Sequence, residues 1–129
     1  MAFHVILSKE MNNPSEDMIV NYDRLILNTE GANYDTAITG VYTCTEPGVY
    51  VFSWTIFLSG HENMYTDLVR NGNVIGSAQT GQDTRYTISG AAIAATELDI
   101  ADKVWVRLGR HSGGADINPK LSMFTGFRI

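Results

Sequence analysis

Three histidines are the residues of this chain best suited to bind a metal ion, namely His4, His61 and His111. A glutamate follows His61, as in the H-E-x-x-H motif of zinc proteases, but the fifth position of that motif is Tyr65 here. The three histidines also lack the sequence spacing of a zinc site. His61 and His111 can still meet Asp116 at one end of a folded domain, so a zinc site and three separate surface histidines both remain open.

The single cysteine, Cys44, lies in a strand-like run and has no partner in sequence that would activate its thiol. We interpret it as a small core or near-surface residue. The chain contains no G-x-S-x-G motif, phosphate-binding loop or dinucleotide-binding fingerprint. We therefore predict that the protein is not an enzyme and requires no cofactor.

The composition fits one globular domain that covers residues 1–129, with 44% hydrophobic residues to fill a core. The formal net charge is −5, from 9 Lys and Arg against 14 Asp and Glu, and no basic run is present. We therefore expect no nucleic-acid partner. No apolar run is long enough to span a bilayer, so we expect no membrane insertion.

The elements that must position any functional residue are β-strands, because short β-rich runs alternate with turn residues and no helical periodicity appears. The predicted strand runs are 2–8, 19–27, 37–44, 48–58, 64–70, 73–79, 85–98, 103–109 and 121–129. Asn71-Gly72 is the strongest hairpin signal, since a type I′ turn needs positive φ at both central residues. This pattern favours a double-sheet jelly roll.

Neither face of the run 48–58 has the polar character of a solvated strand face. We assign one face to the core; it comprises Tyr50, Phe52, Trp54, Ile56 and Leu58. The other face, which includes Val51, Ser53, Thr55 and Phe57, is also not properly polar, as a solvated sheet face would be. We therefore expect a second cover over this strand, such as another subunit.

In a jelly roll, the connections 59–63, 80–84 and 110–120 share one end of the sandwich. Polar side chains are concentrated there, and binding residues often lie on loops held by a rigid scaffold. The candidate ligand-binding residues at this end are His61, Glu62, Asn63, Gln82, Asp83, His111, Asp116 and Asn118. Ordinary solvated loops are the alternative interpretation.

Several segments, in this order and spacing, resemble one family. They are Ala2-Phe3, Leu27-Asn28, Gly31-x-x-Tyr34-Asp35, Thr39-Gly40-Val41-Tyr42-Thr43, Pro47-Gly48-Val49-Tyr50-Val51-Phe52-Ser53-Trp54, Leu68-Val69-Arg70-Asn71-Gly72, Ser89-Gly90, Asp102-Lys103-Val104-Trp105-Val106 and Ser122-x-Phe124-Thr125-Gly126-Phe127. Together they resemble the globular head domain of complement C1q, within the tumour necrosis factor-like superfamily. The resemblance covers essentially the whole chain, and it is closest in kind to the stand-alone heads of invertebrates, molluscs especially.

The resemblance implies an all-β, ten-stranded jelly-roll sandwich that assembles as a homotrimer. The last strand of such a domain lies in the inner sheet, near the three-fold axis. The interface residues that this implies are Val51, Ser53, Thr55, Phe57, Phe124 and Arg128. Three copies of Arg128 would need partners such as Glu10 or Asp17, or a bound anion, because like charges repel; an exposed terminal arginine is the alternative.

The chain departs from the family pattern at several places, one of which is Arg128, since the family's last strand usually ends in apolar residues. Ala101 stands where the family usually has glycine, which is tolerable if the backbone there avoids positive φ. Some relatives bind calcium through acidic residues before the Ser-Gly strand, and the nearest equivalents here are Asp83 and Gln82. Tyr86 replaces an acid found in some relatives, so calcium is an optional cofactor, with Asp83 as its first candidate ligand.

The function that the resemblance implies is non-catalytic recognition of a ligand. We expect a secreted innate-immune pattern-recognition protein that binds microbial surface glycans or lipopolysaccharide, although the sequence shows no signal peptide. One alternative is a trimeric signalling ligand for a cell-surface receptor, of the adiponectin or cerebellin kind. Another is the trimerisation head of a collagen-like protein, although the chain contains no Gly-x-y repeat.

Overall fold

The computed structural model describes residues 1–29, 33–36, 39–59, 62–81, 88–119 and 121–129. These ranges contain eleven strands and no helix. The strands are β1 (Ala2–Ile6), β2 (Met11–Asn12), β3 (Arg24–Asn28), β4 (Tyr42–Thr43), β5 (Gly48–Leu58), β6 (Met64–Arg70), β7 (Asn73–Thr80), β8 (Ile88–Leu98), β9 (Lys103–His111), β10 (Asp116–Asn118) and β11 (Met123–Arg128).

The strand β5, which with β8 is one of the two longest, is the centre of a seven-stranded antiparallel sheet. One edge of β5 pairs with β8 along its whole length, from Gly48↔Leu98 to Leu58↔Ile88. Its other edge pairs first with β11 and then with β10. Beyond β11 lie β1 and the edge strand β3, while β2 pairs with β10.

The second sheet has four strands in the order β4-β9-β6-β7. The hairpin between β6 and β7 turns at Asn71 and Gly72, whose φ angles are 49° and 89°. Positive φ at both positions is what a type I′ turn requires, so the predicted hairpin is confirmed.

The core lies between the two sheets and is rich in aromatic rings. The predicted core face of β5 is confirmed, because all five of its side chains are buried; they are Tyr50, Phe52, Trp54, Ile56 and Leu58. The Trp54 indole also donates a buried hydrogen bond of 2.9 Å from Nε1 to Thr66 Oγ1 on the facing sheet. Cys44 is buried as well, and its thiol donates to the Glu46 carbonyl, which confirms the structural interpretation of that residue.

The all-β jelly-roll prediction is confirmed, but several element bounds differ. The predicted run 19–27 forms a strand only over Arg24–Asn28, with an isolated bridge at Ile19. The segment 110–120 is not a simple loop, because β9 continues to His111 and Asp116–Asn118 forms β10. Strands of two or three residues have too little periodicity for a sequence pattern to reveal them.

The backbone at Ala101 has a positive φ of 73°, so the condition under which alanine would be tolerable at this position is not met. Ala101 is the third residue of the turn 99–102, in which the Asp102 amide donates to the Asp99 carbonyl at 3.1 Å. Turns with this conformation favour glycine at that position, because a Cβ is strained there.

We therefore expect Ala101→Gly to raise the free energy of unfolding by about 1 kcal/mol. Thermal or denaturant unfolding measures the change. Ala91→Gly is the matched control: Ala91 lies within β8 and outside the residues with positive φ, so this variant should lose stability. A loss of stability in both variants would contradict the strain at Ala101.

Candidate functional site

The predicted loop end is described at Glu62, Asn63, His111, Asp116 and Asn118, and each of these residues is half-buried. The other three candidates, His61, Gln82 and Asp83, lie outside the described residues, as does Tyr86. The calcium prediction at Asp83 therefore stays a prediction. The five described residues come together at one end of the sandwich, as the strand order requires.

Ser112 is the centre of one hydrogen-bonded group at this end. Its hydroxyl donates to Glu62 Oε2 at 2.5 Å and accepts from the Asn63 amide at 3.0 Å. The Ser112 amide in turn donates to the Asn63 carbonyl at 3.0 Å. These contacts join the start of β6 to the end of β9.

His111 lies between two carbonyl groups. Its Nδ1 is 2.8 Å from the Ser112 carbonyl oxygen, and its Nε2 is 2.5 Å from that of Pro14. His111 therefore attaches the segment around Pro14 to the end of β9.

Asp116 holds the same segment from the other side. Its Oδ1 accepts from the Asn13 amide at 2.8 Å, and Asn13 Oδ1 accepts from the Gly114 amide at 3.0 Å. Asn118 acts through its backbone, since its carbonyl accepts from the Ser122 hydroxyl at 2.8 Å.

The described polar groups of the loop end thus hold its connections together. Within the described ranges, no group of three or more His, Cys, Asp or Glu side chains is arranged to bind a metal ion. A ligand-binding role for the eight candidate residues remains a prediction, and the structure gives Glu62, His111 and Asp116 a positioning role as well.

The outward face of the seven-stranded sheet is the second candidate surface. Val51, Ser53, Thr55 and Phe57 are half-buried on it, as their alternation with the core residues requires. The neighbouring strands add exposed apolar side chains, namely Ile93 on β8, which is 70% exposed, and Phe127 on β11, which is 42% exposed.

The alanine-rich run of β8 serves both faces of the sheet. Ala92 and Ala94 pack against the core, while Ala91 and Ala95 are exposed beside Ile93. Small outward side chains leave room for close approach of another surface, and small inward ones allow close packing of the sheets. The run therefore suits close packing of the sheets on its inner face and close approach of another surface on its outer face.

The assignment of Phe124 to the interface was wrong, because its side chain is fully buried in the core. Phe124 pairs with Trp54 across β11 and β5, so both point to the core face. Its ring lies 5.2 Å from that of Phe3 and 5.9 Å from that of Phe52, measured between centroids. The outward residues of β11 are Met123, Thr125 and Phe127.

Arg128 is held within its own chain. Its guanidinium donates to the Pro47 carbonyl at 3.0 and 3.2 Å and lies 3.7 Å from the Glu46 carboxylate. The side chain lies over Gly48, where a Cβ would meet its Nε at 2.5 Å. Within the single chain, the partners of Arg128 are thus Glu46 and Pro47, while partners such as Glu10, Asp17 or a bound anion in a trimer stay a prediction.

Sequence reasoning missed a cavity of about 200 Å³ at the seam between the two sheets. It is formed by the segments 7–11 and 18–23. Neither segment carries a recognised motif, and only the folded chain brings them together. The sequence of these two segments shows only a mixture of apolar and charged residues, which does not predict a cavity.

The opposite end of the sandwich contains an acid-sensitive contact. The Asp102 carboxylate accepts from the Asp99 amide at 2.8 Å and from Asn71 Nδ2 at 2.9 Å. These hydrogen bonds, with the charge of Arg70, hold the pKa of Asp102 below its usual 3.8. The contact joins the β6–β7 hairpin to the turn before β9.

Because the folded state lowers this pKa, its stabilising contribution is present above about pH 4 and is lost as the pH falls through the folded value. We expect the Tm to fall below about pH 4, and to fall less steeply for Asp102→Asn than for the parent chain. Thermal unfolding between pH 2 and 6 measures both profiles. If the Tm of the two proteins fell equally steeply with falling pH, Asp102 would not be the source of this acid sensitivity.

Comparison with known proteins places the chain in one family. A C1q domain family model matches residues 2–129. The chain is 34% identical over 113 residues to human complement C1q tumor necrosis factor-related protein 5, covering 84% of this chain and 44% of that protein. It is 31% identical over 132 residues to mouse complement C1q tumor necrosis factor-related protein 2, covering 99% and 42%. The chain thus spans less than half the length of these relatives.

Solved structures show the same fold at lower identity. The globular domain of zebrafish complement 1qA protein has a TM-score of 0.78 at 21% identity, covering 99% of this chain and 96% of that one. The structure of Eiger TNF from S. frugiperda also has a TM-score of 0.78, at 17% identity, covering 100% and 92%. In the described part of our chain, no helix has the length and hydrophobicity of a membrane span. From its family-model match and its sequence relatives, the chain belongs to the C1q domain family.

Proposed function

We propose that this protein is a secreted, homotrimeric recognition module that binds microbial surface glycans without catalysis. Domains of the C1q and tumour necrosis factor-like type are non-enzymatic recognition or ligand modules, and they typically form trimers and bind other proteins. Beyond these family properties, we propose that this particular chain is secreted, assembles as a trimer and binds microbial glycans.

The observation that carries the proposal is the apolar outward face of the seven-stranded sheet. Ile93 is 70% exposed in the single chain, and Phe127 and Val49 are also exposed large hydrophobic residues on this sheet. The half-buried side chains of Val51 and Phe57 extend the same face along β5. Contiguous exposed apolar surface of this kind marks interaction sites, and a second and third copy of the chain would cover it.

A trimer would present three copies of each loop end in one assembly. Binding of three weak sites to a repetitive microbial surface raises the overall avidity without better contacts at any single site. The loop end offers amide, carboxylate and hydroxyl groups that suit hydrogen bonds with sugar hydroxyls. We select Asp83 and His111 to test whether this end binds glycans.

The test is a glycan array, with a bacterial-binding assay, using the full chain and the variants Asp83→Ala and His111→Ala. We expect binding by the parent chain and a reduction of at least fivefold in each variant. Asp99→Ala, at the opposite end of the sandwich, is the matched control and should bind like the parent. Absence of glycan and bacterial binding by the parent would reject this function.

A trimeric signalling ligand for a cell-surface receptor is the second candidate function. It is favoured by the relatives, which are complement C1q tumor necrosis factor-related proteins. It predicts saturable binding to one membrane protein on cells and little binding to glycans. Cell-surface binding that persists after enzymatic removal of glycans would select this function over the first.

A further inference from the structure

The outward face of the seven-stranded sheet is built from side chains that lie in rows across its strands. One row contains His4, Thr125, Ser53 and Ile93, which are successive register partners on β1, β11, β5 and β8. The rows on either side of it contain Ala2, Phe127, Val51 and Ala95, and Ile6, Met123, Thr55 and Ala91, respectively. His4 is the only titratable side chain in these rows, and it lies in the middle one.

His4 has a polar neighbour but no charge partner in the single chain. It is half-buried, and its Nδ1 lies 2.6 Å from the hydroxyl oxygen of Thr125. A hydroxyl can donate to a neutral imidazole or accept from an imidazolium, so this contact suits both forms of the ring. Among the described residues, no carboxylate forms an ion pair with His4. A positive charge on His4 is therefore not offset by any carboxylate in the described part of the chain.

Charged groups are few on the strands around His4, and those beside it are positive. The strands that flank β1 carry one charged side chain each, Arg24 on β3 and Arg128 on β11. The amino group of Met1 directly precedes β1. Beyond β11, β5 carries no charged side chain, and β8 carries only Glu97, near its C-terminal end. These charges oppose a further positive charge on His4 more than they offset it.

Burial of this face would make the protonation state of His4 matter for assembly. A histidine in water takes up a proton at about pH 6.5. If a second copy of the chain covers the row that contains His4, the ring leaves water, and burial of an unpaired positive charge is strongly unfavourable. The neutral ring keeps its contact with Thr125 at a much smaller cost. Protonation therefore opposes assembly at each of the three copies.

We propose that protonation of His4 dissociates the trimer as the pH falls from about 7.5 to about 5.5. The proposal rests on the trimeric recognition module proposed above and adds a regulation of its assembly. The separated chains should stay folded in this range, because the contact of Asp102 weakens only below about pH 4. Glycan binding would weaken together with the trimer, because its avidity depends on three linked sites.

The linkage of protons to assembly sets the sign and the size of the effect. The separated chains bind more protons than the trimer does, so the trimer is stable above about pH 6.5 and is lost as the pH falls below it. At about pH 5.5, uptake of the proton favours each separated chain by up to about tenfold. Over three chains, the association constant of the trimer falls by up to about 1000-fold. The concentration at which half of the chains are separated then rises by up to about 30-fold, since it varies as the square root of this constant.

The test is sedimentation equilibrium of the full chain at about pH 7.5, 6.5 and 5.5 and constant ionic strength, with circular dichroism to confirm folding. Between the two extremes, the concentration at half dissociation of the parent should rise at least tenfold. For His4→Gln, which keeps a neutral polar side chain, it should change by less than twofold. His4→Lys, which is positively charged at all three pH values, should be dissociated at neutral pH as well.

Ile100→His in the His4→Gln background is the matched control, since it returns a histidine to the chain at an exposed turn position outside the rows. We expect this double variant to be as insensitive to pH as His4→Gln, and His4→Asn replaces His4→Gln if that variant does not fold. A parent trimer that is equally stable at neutral and mildly acidic pH would overturn the proposal and leave the trimer itself standing. So would an equal loss of the trimer in the parent and in His4→Gln. A parent chain that is already monomeric at neutral pH would contradict the proposed trimer, and this regulation with it.

Discussion

Ile93→Asp is expected to convert the proposed trimer into monomers while leaving the chain folded. Ile93 is 70% exposed in the single chain and lies on the outward face of β8, beside the exposed Ala91 and Ala95. In a monomer the substitution changes the free energy of unfolding by less than about 1 kcal/mol, because the side chain is in water either way. In a trimer it buries a carboxylate without a partner in an apolar interface, which is strongly unfavourable.

Ile100→Asp is the matched control, because Ile100 is 65% exposed but lies in the turn between β8 and β9. We expect this variant to remain a trimer. Size-exclusion chromatography with light scattering measures the mass of both variants, and circular dichroism confirms that each is folded. A trimeric Ile93→Asp protein would contradict the assignment of this face to the interface.

Phe124→Ala is expected to lower the free energy of unfolding by about 3–5 kcal/mol, the range for removal of a buried phenylalanine ring. The ring of Phe124 contacts those of Phe3, Tyr22, Tyr34 and Phe52, with centroids 5.2–5.9 Å apart. The variant therefore leaves a cavity at the centre of the aromatic core. Chemical denaturation at one fixed protein concentration measures the loss, since assembly also contributes to stability.

Phe127→Ala separates this core role from an interface role. Phe127 is three residues further along β11 and is 42% exposed on the outward face. We expect its truncation to weaken assembly and to leave the stability of the single chain nearly unchanged. If Phe124→Ala dissociated the trimer but cost the chain less than about 1 kcal/mol, Phe124 would belong to the interface after all.

Local patterns predicted the strands and turns well. The alternation in β5 identified the five core side chains, and Asn71-Gly72 identified the hairpin, because both signals depend on residues adjacent in sequence. Alternation along β11 places Phe124 and Arg128 on the same face, as their pairing with Trp54 and Tyr50 shows. It could not show which face is the core, because that depends on the register of Phe124 with Trp54, a partner 70 positions away.

The candidate sites depend still more on distant contacts. The strand order predicted that Glu62, His111 and Asp116 share one end of the sandwich, and the structure brings them together there. No pattern could show that His111 and Asp116 hold the segment around Asn13 and Pro14, since 97 and 103 residues separate these partners. The cavity beside Asn21 was missed for the same reason.

Ala101 shows the limit of reading a single substitution against a family pattern. The family usually has glycine at this position, and alanine was expected to be tolerable there only if the backbone avoids positive φ. The structure keeps the positive φ of 73° and places the alanine in it, with its amide donating to the Cys44 carbonyl at 2.8 Å.

The molecular mass of the parent chain in solution tests the central claim most directly. Sedimentation equilibrium at micromolar concentration and neutral pH should give three times the chain mass of 14.2 kDa. This result would give the three copies of the chain that multivalent recognition requires and that can cover the apolar face around Ile93. A stable species of 14.2 kDa under the same conditions would contradict it.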